Sequence, residues 1–270
     1  YLGSISVLTV LLVCFAARYA LKASNNNHPA AIIAVLIAII PASDIALNLV
    51  NWILSHSFKP AFIPKLELKD GIDRDNASMV VVPALLTDES TARELVLNLE
   101  VHYLANKDEN LFFALLGDFR DADEETLPTD KRIADTALEV VRQLNEKHKR
   151  DEAPIFYFLC RHRQLNKRQN KWMGWERKRG ALMEFNAMLL GDENTSYSIK
   201  SDDIGKLPKI KYVITLDADT MLPIDGAKRL IGTMMHTLNR PVIDKNKGIV
   251  VDGYGLLQPR IGVEDRKSVV

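Results

Sequence analysis

Three textures succeed one another along the chain. Residues 1 to 21 are apolar, with Arg18 the only charge. A run of that length can cross a bilayer as a helix, which takes about 20 residues. The polar stretch NNNHP follows, and a second apolar run covers 30–53. Pro41 interrupts this second run, and Ser43 and Asp44 offer a cap for a renewed helix. Beyond it Asp44, Asn48, Asn51 and Ser55 recur on one helical face. Such a stripe fits the second half of a kinked span packed on neighbouring helices. It also fits a segment lying in the interface with Trp52 at headgroup depth. Of the two we take the first.

After Phe58 the stretch KPAFIPKLELKDGIDRD has charges, prolines and no sustained period, and reads as a linker over 59–76. From Ala77 apolar runs alternate with amphipathic ones. The pattern predicts strands over 79–83, 110–116, 154–160 and 210–216. It predicts helices over 89–105, 129–147, 174–190 and 225–238, an extended stretch over 248–258, and a polar loop over 191–206. Strand alternating with helix means a mainly parallel α/β sheet with helices on both faces. The organisation expected is therefore 1–58 membrane or interfacial helices, 59–76 linker, and 77–270 an α/β domain.

Composition changes this picture little. The 270 residues carry 35 Lys+Arg and 35 Asp+Glu, so no basic excess argues for nucleic acid. Cys14 and Cys160 lie in apolar runs and have neither disulfide nor zinc spacing. The first residue is Tyr1 and no basic region precedes the first apolar run, so a segment of a longer polypeptide is expected rather than a signal peptide. Lys59, Lys65 and Lys69 after the second run put the α/β domain on the cytoplasmic side, with the loop 22–28 outside.

The chemistry gathers at strand ends. The strand at 210–216 runs into Asp217 and Asp219 in VITLDADTMLP. One role for such residues is to cap the next helix. The other is to hold Mg²⁺ or Mn²⁺ with substrate phosphates, since open α/β sheets bind ligands at the carboxyl ends of their strands. The second strand ends in GDFRDADEE, with Asp118. The third ends in RHRQLNKRQNK, where Arg161, Arg163, Lys167, Arg168 and Lys171 read as a phosphate-facing run. Arg177, Lys178 and Arg179 open the following helix in WERKRGALMEFN, a place that favours anions.

These motifs resemble a metal-dependent glycosyltransferase of the GT-A, Rossmann-like fold. The match lies in PALLTDES from Pro83, GDFRDA, KRGALMEFN and VITLDADTMLP. With GYGLLQPRIG after Asp252, the spacing is most similar to the cyclic β-1,2-glucan synthase family. The resemblance implies an inverting transfer of glucose from UDP-glucose to a growing β-1,2-glucan, in a large multi-pass enzyme of the bacterial inner membrane. It implies Pro83 in the first-strand nucleotide loop and Asp118 on the uridine. Arg177, Lys178 and Arg179 would lie near sugar or phosphates, Gln258 and Arg260 on the acceptor side, and Mg²⁺ or Mn²⁺ on Asp217 and Asp219. The expected partners are UDP-glucose, a glucan acceptor, the bilayer and further domains of the same polypeptide. The general base is expected beyond Val270, because Glu264 and Asp265 follow QPRIG too soon. A membrane-tethered nucleotide-sugar-binding module without activity is the alternative. A haloacid-dehalogenase-type phosphatase fits less well, with Met221 where that motif takes Thr or Val.

Overall fold

The computed structural model describes residues 1–23, 28–58, 62–259 and 262. The chain divides into two compact units, Tyr1–Phe62 and Ile63–Val270.

In the first unit both apolar runs are helical, α1 over Leu2–Ala23 and α2 over His28–Ser57. Both are long and apolar enough to cross a membrane. The α2 helix has 30 residues, and at about 1.5 Å per residue it exceeds the hydrocarbon thickness. The helices pair antiparallel, with the Tyr1 hydroxyl donating to Asn51 Oδ1 over 2.8 Å. The break expected at Pro41 does not occur, because α2 runs through it. Ser43 does not cap a new helix but donates to the Ile40 carbonyl at 2.8 Å. Asn48 and Ser55 likewise bond back to carbonyls one turn earlier, at 2.9 and 2.8 Å.

The second unit holds a five-stranded sheet. Its strands are β1 (Ser78–Leu86), β2 (Leu111–Phe119), β3 (Phe156–Arg161), β6 (Tyr197–Lys200) and β7 (Tyr212–Thr215). Two short antiparallel pairs stand apart from it: β4 (Gln164–Asn166) with β5 (Lys171–Met173), and β8 (Val242–Asp244) with β9 (Ile249–Asp252). The helices are α3 (Glu89–Ala105), α4 (Asp130–Lys147), α5 (Arg177–Leu189) and α6 (Gly226–Met235).

Strand order is β6-β3-β2-β1-β7, parallel throughout except β6. The strands read as unbroken apolar runs because both faces are covered. On one face Val80, Val82, Phe113, Leu115 and Phe158 pack against Val96 of α3, Val140 of α4 and Ile231 of α6. On the other Met79, Val81, Ala114, Tyr157 and Leu159 pack against Phe185 of α5. The α/β expectation is met, with one correction. The polar loop expected over 191–206 contains β6, which pairs antiparallel with β3 at the sheet edge. In that strand Tyr197 is buried, while Ser198 is exposed.

The chain leaves β1 for β2 on one side and later returns to β1's other side as β7. The strand order therefore reverses between β1 and β7, and ligands of open α/β sheets bind at such a reversal.

Candidate functional site

The reversal opens into a gap because β7 is shorter than β1. Their register runs from Ser78 opposite Tyr212 to Val81 opposite Thr215, and the last bond is from Leu216 N–H to the Val81 carbonyl at 3.0 Å. Beyond Val81, β1 continues beside β2 alone. Residues along a strand bond alternately to either side, Ser78 toward β2 and Val81 toward β7. Pro83 therefore faces the side that β7 has left, where its missing N–H costs no ladder bond.

Asp217 and Asp219 stand at this gap, both exposed. Thr220 N–H bonds the Asp217 carbonyl at 2.9 Å, folding the chain into a turn. Neither aspartate caps α6. The residue before that helix is Asp225, whose side chain makes no cap bond. The Ala227 N–H is taken instead by Asn106 Oδ1 of the α3 end, at 2.9 Å. The buried His102 of α3 accepts from Leu222 N–H through Nδ1, at 3.5 Å. The segment after the aspartates is thus fastened to α3 by His102 and Asn106, and both carboxylates remain free of helix-capping duty.

The basic helix start reaches them from α5. Lys178 forms an ion pair with Asp217. Arg177 pairs with Asp121 at 2.6 Å, and Arg179 with Glu176 at 3.1 Å. Glu176 and Arg177 both adopt left-handed backbone, φ 50° and 47°, a conformation that costs non-glycine residues energy and needs surrounding support.

Arg161 supplies that support. Its side chain is fully buried at the end of β3. Nε and Nη2 donate to the two Asp118 oxygens at 2.7 and 2.6 Å. The other donors reach the carbonyls of Trp175 and Arg177, both at 2.9 Å, and Glu184 of α5 at 3.3 Å. Burial alone would lower the guanidinium pKa, but the bonds and charge of Asp118 outweigh it and raise it. One side chain thus ties the ends of β2 and β3 to the strained turn and to α5. Gly174 is required beside it, since a Cβ there would sit 2.7 Å from the Asp118 carboxylate and 2.8 Å from Arg161. Gly180 is required too, because a Cβ would lie 1.9 Å from the Trp175 carbonyl.

Two parts of the sequence reading change here. Arg161 and Arg163 do not face a phosphate. Arg163 is buried, with Asp130 of α4 at 2.5 and 3.0 Å and the Arg120 carbonyl at 2.7 Å. Lys171 pairs with Asp123 at 2.6 Å. Lys167 and Arg168 do line an open cleft of about 620 Å³ with Trp175 and Arg177. The role of Arg161, and of its partner Glu184, was missed although one signal pointed to it. An arginine that closes an apolar strand (FYFLCR) must be buried, and a buried cation needs a carboxylate.

Asp118 lies in the site with both oxygens taken by Arg161; a carboxylate has further lone pairs for a nucleoside N–H. Gln258 is exposed on the segment after β9. Arg260, Glu264 and Asp265 lie outside the described residues. The Cys160 thiol is pushed well up by burial and the nearby Asp118 and Asp130 charges, which keeps it protonated and unreactive.

Asp217 and Asp219 suit a hard cation. Among the described residues no three or more His, Cys, Asp or Glu side chains converge so that they could hold a metal ion by themselves. Mg²⁺ typically takes one or two carboxylates and completes its shell with waters and substrate phosphates. The donor set fits that use.

No family model matches the chain. It is 40% identical over 232 residues to the cyclic beta-(1,2)-glucan synthase NdvB of Rhizobium meliloti (strain 1021). The match covers 86% of this chain, which spans 8% of the length of that relative.

Proposed function

We propose that this chain, a segment related to the cyclic β-(1,2)-glucan synthases, binds UDP-glucose at the β1–β7 gap and serves a membrane-bound inverting glycosyltransferase. One observation carries the reading: the strand order reverses where Asp217 and Asp219 end β7, and Lys178 reaches Asp217 there. Carboxylates for a cation and an ammonium for an anion meet at one strand end, and a metal–diphosphate carries both charges.

In this reading Pro83 and Asp118 flank the nucleoside. Arg161 orients Asp118 and the α5 start, while Lys178 faces the diphosphate with Arg177 and Arg179 beside it. A bound Mg²⁺ or Mn²⁺ on Asp217 and Asp219 would offset the charge that grows on the leaving diphosphate. An acceptor hydroxyl oxygen forms the new bond to the glucose C1 as the bond from C1 to the UDP oxygen breaks. The electron pair leaves with UDP, and the hydroxyl proton passes to a carboxylate that we assign to none of the described residues. Gln258 and Arg260 are proposed for the acceptor side. The domain organisation proposed is 1–58 in the bilayer, 59–76 linker and 77–270 catalytic. The α/β domain faces the cytoplasm of a bacterium and the protein is a multi-pass inner-membrane enzyme.

Titration calorimetry of UDP tests the site, with and without Mn²⁺, on the chain in lipid nanodiscs. UDP affinity should depend on Mn²⁺ in the wild type and lose that dependence in Asp219→Asn. Retention of full Mn²⁺ dependence in both Asp217→Asn and Asp219→Asn removes the site. Release of UDP from UDP-glucose separates a transferase from a module that only binds.

A further inference from the structure

The three basic residues opening α5 are not equivalent. Arg177 and Arg179 are each tied to a carboxylate close by, Asp121 and Glu176. Lys178 alone crosses to β7 and places its ammonium on Asp217. Asp219, two residues on, has no ion pair among the described residues and is exposed. Of two carboxylates suited to a cation, one already holds a cation of the protein's own.

We propose that Lys178 is a counter-ion that a divalent metal must displace from Asp217, and that the diphosphate of an incoming nucleotide receives the displaced ammonium. The proposal rests on the metal–nucleotide reading given above and adds an order and a coupling to it. A metal arriving alone competes with Lys178 for Asp217. A metal arriving with a nucleoside diphosphate does not, because the ammonium then has a new anion to pair with. Lys178 therefore makes metal and nucleotide bind cooperatively, and by linkage each strengthens the other equally. Empty, the site has one of its two carboxylates already neutralised and so discriminates against free cations; loaded, the ammonium neutralises part of the nucleotide's charge instead.

The geometry allows the exchange. Lys178 and Asp217 are both about half exposed, at 48% and 58%, so neither is sealed and the pair can part without burying an uncompensated charge. The backbone that carries Lys178 is fixed, with Arg161 holding the Trp175 and Arg177 carbonyls. The movement is thus confined to a flexible four-carbon side chain. Exposed ion pairs contribute at most about 1 kcal/mol, which is about a factor of five, and this bounds the effect.

The test measures Mn²⁺ binding to the chain in nanodiscs through the electron paramagnetic resonance of free Mn²⁺, with no nucleotide present and then with saturating UDP. Lys178→Gln should bind Mn²⁺ alone about two- to five-fold more tightly than wild type. It should bind UDP more weakly, and the gain in Mn²⁺ affinity produced by UDP should shrink. Lys178→Arg keeps the charge and should follow the wild type for Mn²⁺ alone, which separates displacement from a general disturbance of the α5 start. If Asp217→Asn and Asp219→Asn lose Mn²⁺ but Lys178→Gln binds it no better than wild type, the counter-ion proposal is overturned while the metal site stands. If neither aspartate variant changes Mn²⁺ binding, the metal reading fails and takes this proposal with it.

Discussion

At the scale of single residues, the site depends on groups that touch no ligand. His102 is buried and its pKa lies below the ordinary histidine value because burial penalises the charged ring. Its unfolded value is about 6.5. Above that pH both states hold a neutral ring; below it the unfolded chain takes a proton that the folded one refuses. Stability should therefore fall as pH drops from 7.5 to 5.5, and fall less in His102→Gln, as read by thermal unfolding. Glu100 does not obscure this window. Its pKa is lowered by bonds from His148 and Lys147, so its contribution is lost only in the acid range below an unfolded value of about 4.3. Gly174→Ala drives a methyl group into the Asp118–Arg161 pair and should cost about 1–3 kcal/mol in urea unfolding. Wild-type stability in that variant would show that the turn has room to move. At this scale Asp217, Asp219 and Lys178 were legible because their charges stand at the end of an apolar strand or the start of a helix. Arg161 and Arg163 were misread because charge type says nothing about burial. Their partners Asp118 and Asp130 lie 43 and 33 residues away, and only the sheet brings them together.

At the scale of elements, α5 is held at its start by Arg161 rather than by a cap of its own, since Glu176 makes no side-chain cap bond. Removing one member of a buried pair strands the other charge and costs about 3–5 kcal/mol, whereas removing both costs less. Arg161→Met should therefore lower the unfolding midpoint more than the double variant Arg161→Met/Asp118→Leu. Equal losses would mean that Arg161 stabilises through its carbonyl bonds alone. Four strands of the sheet, β1, β2, β3 and β7, and the helices α3 to α6 were readable from the alternation of apolar and amphipathic runs, α3 to the residue. The β6 strand was not, because four residues at an edge carry only one buried side chain, Tyr197. The continuity of α2 through Pro41 was missed for another reason: long apolar helices tolerate an internal proline, and periodicity does not register that.

At the scale of the whole molecule, two apolar helices precede an α/β domain whose strand order reverses at two carboxylates. Topology is open to labelling. In a chain with Cys14→Ser and Cys160→Ser, an Asn26→Cys probe should react with a membrane-impermeant maleimide from outside intact cells. A Lys245→Cys probe on the turn between β8 and β9 should react only after lysis. The reverse pattern would place the α/β domain on the far side of the membrane from UDP-sugars. The central claim concerns what enters the β1–β7 gap. It is tested most directly by a cryo-electron microscopy or crystal structure of the chain with UDP and Mn²⁺. We expect density for the diphosphate at the ends of β1 and β7, an Mn²⁺ signal joining it to Asp217 and Asp219, and Lys178 moved from Asp217 to a phosphate oxygen. UDP bound elsewhere, or bound in the gap with no cation at the two aspartates, would contradict it.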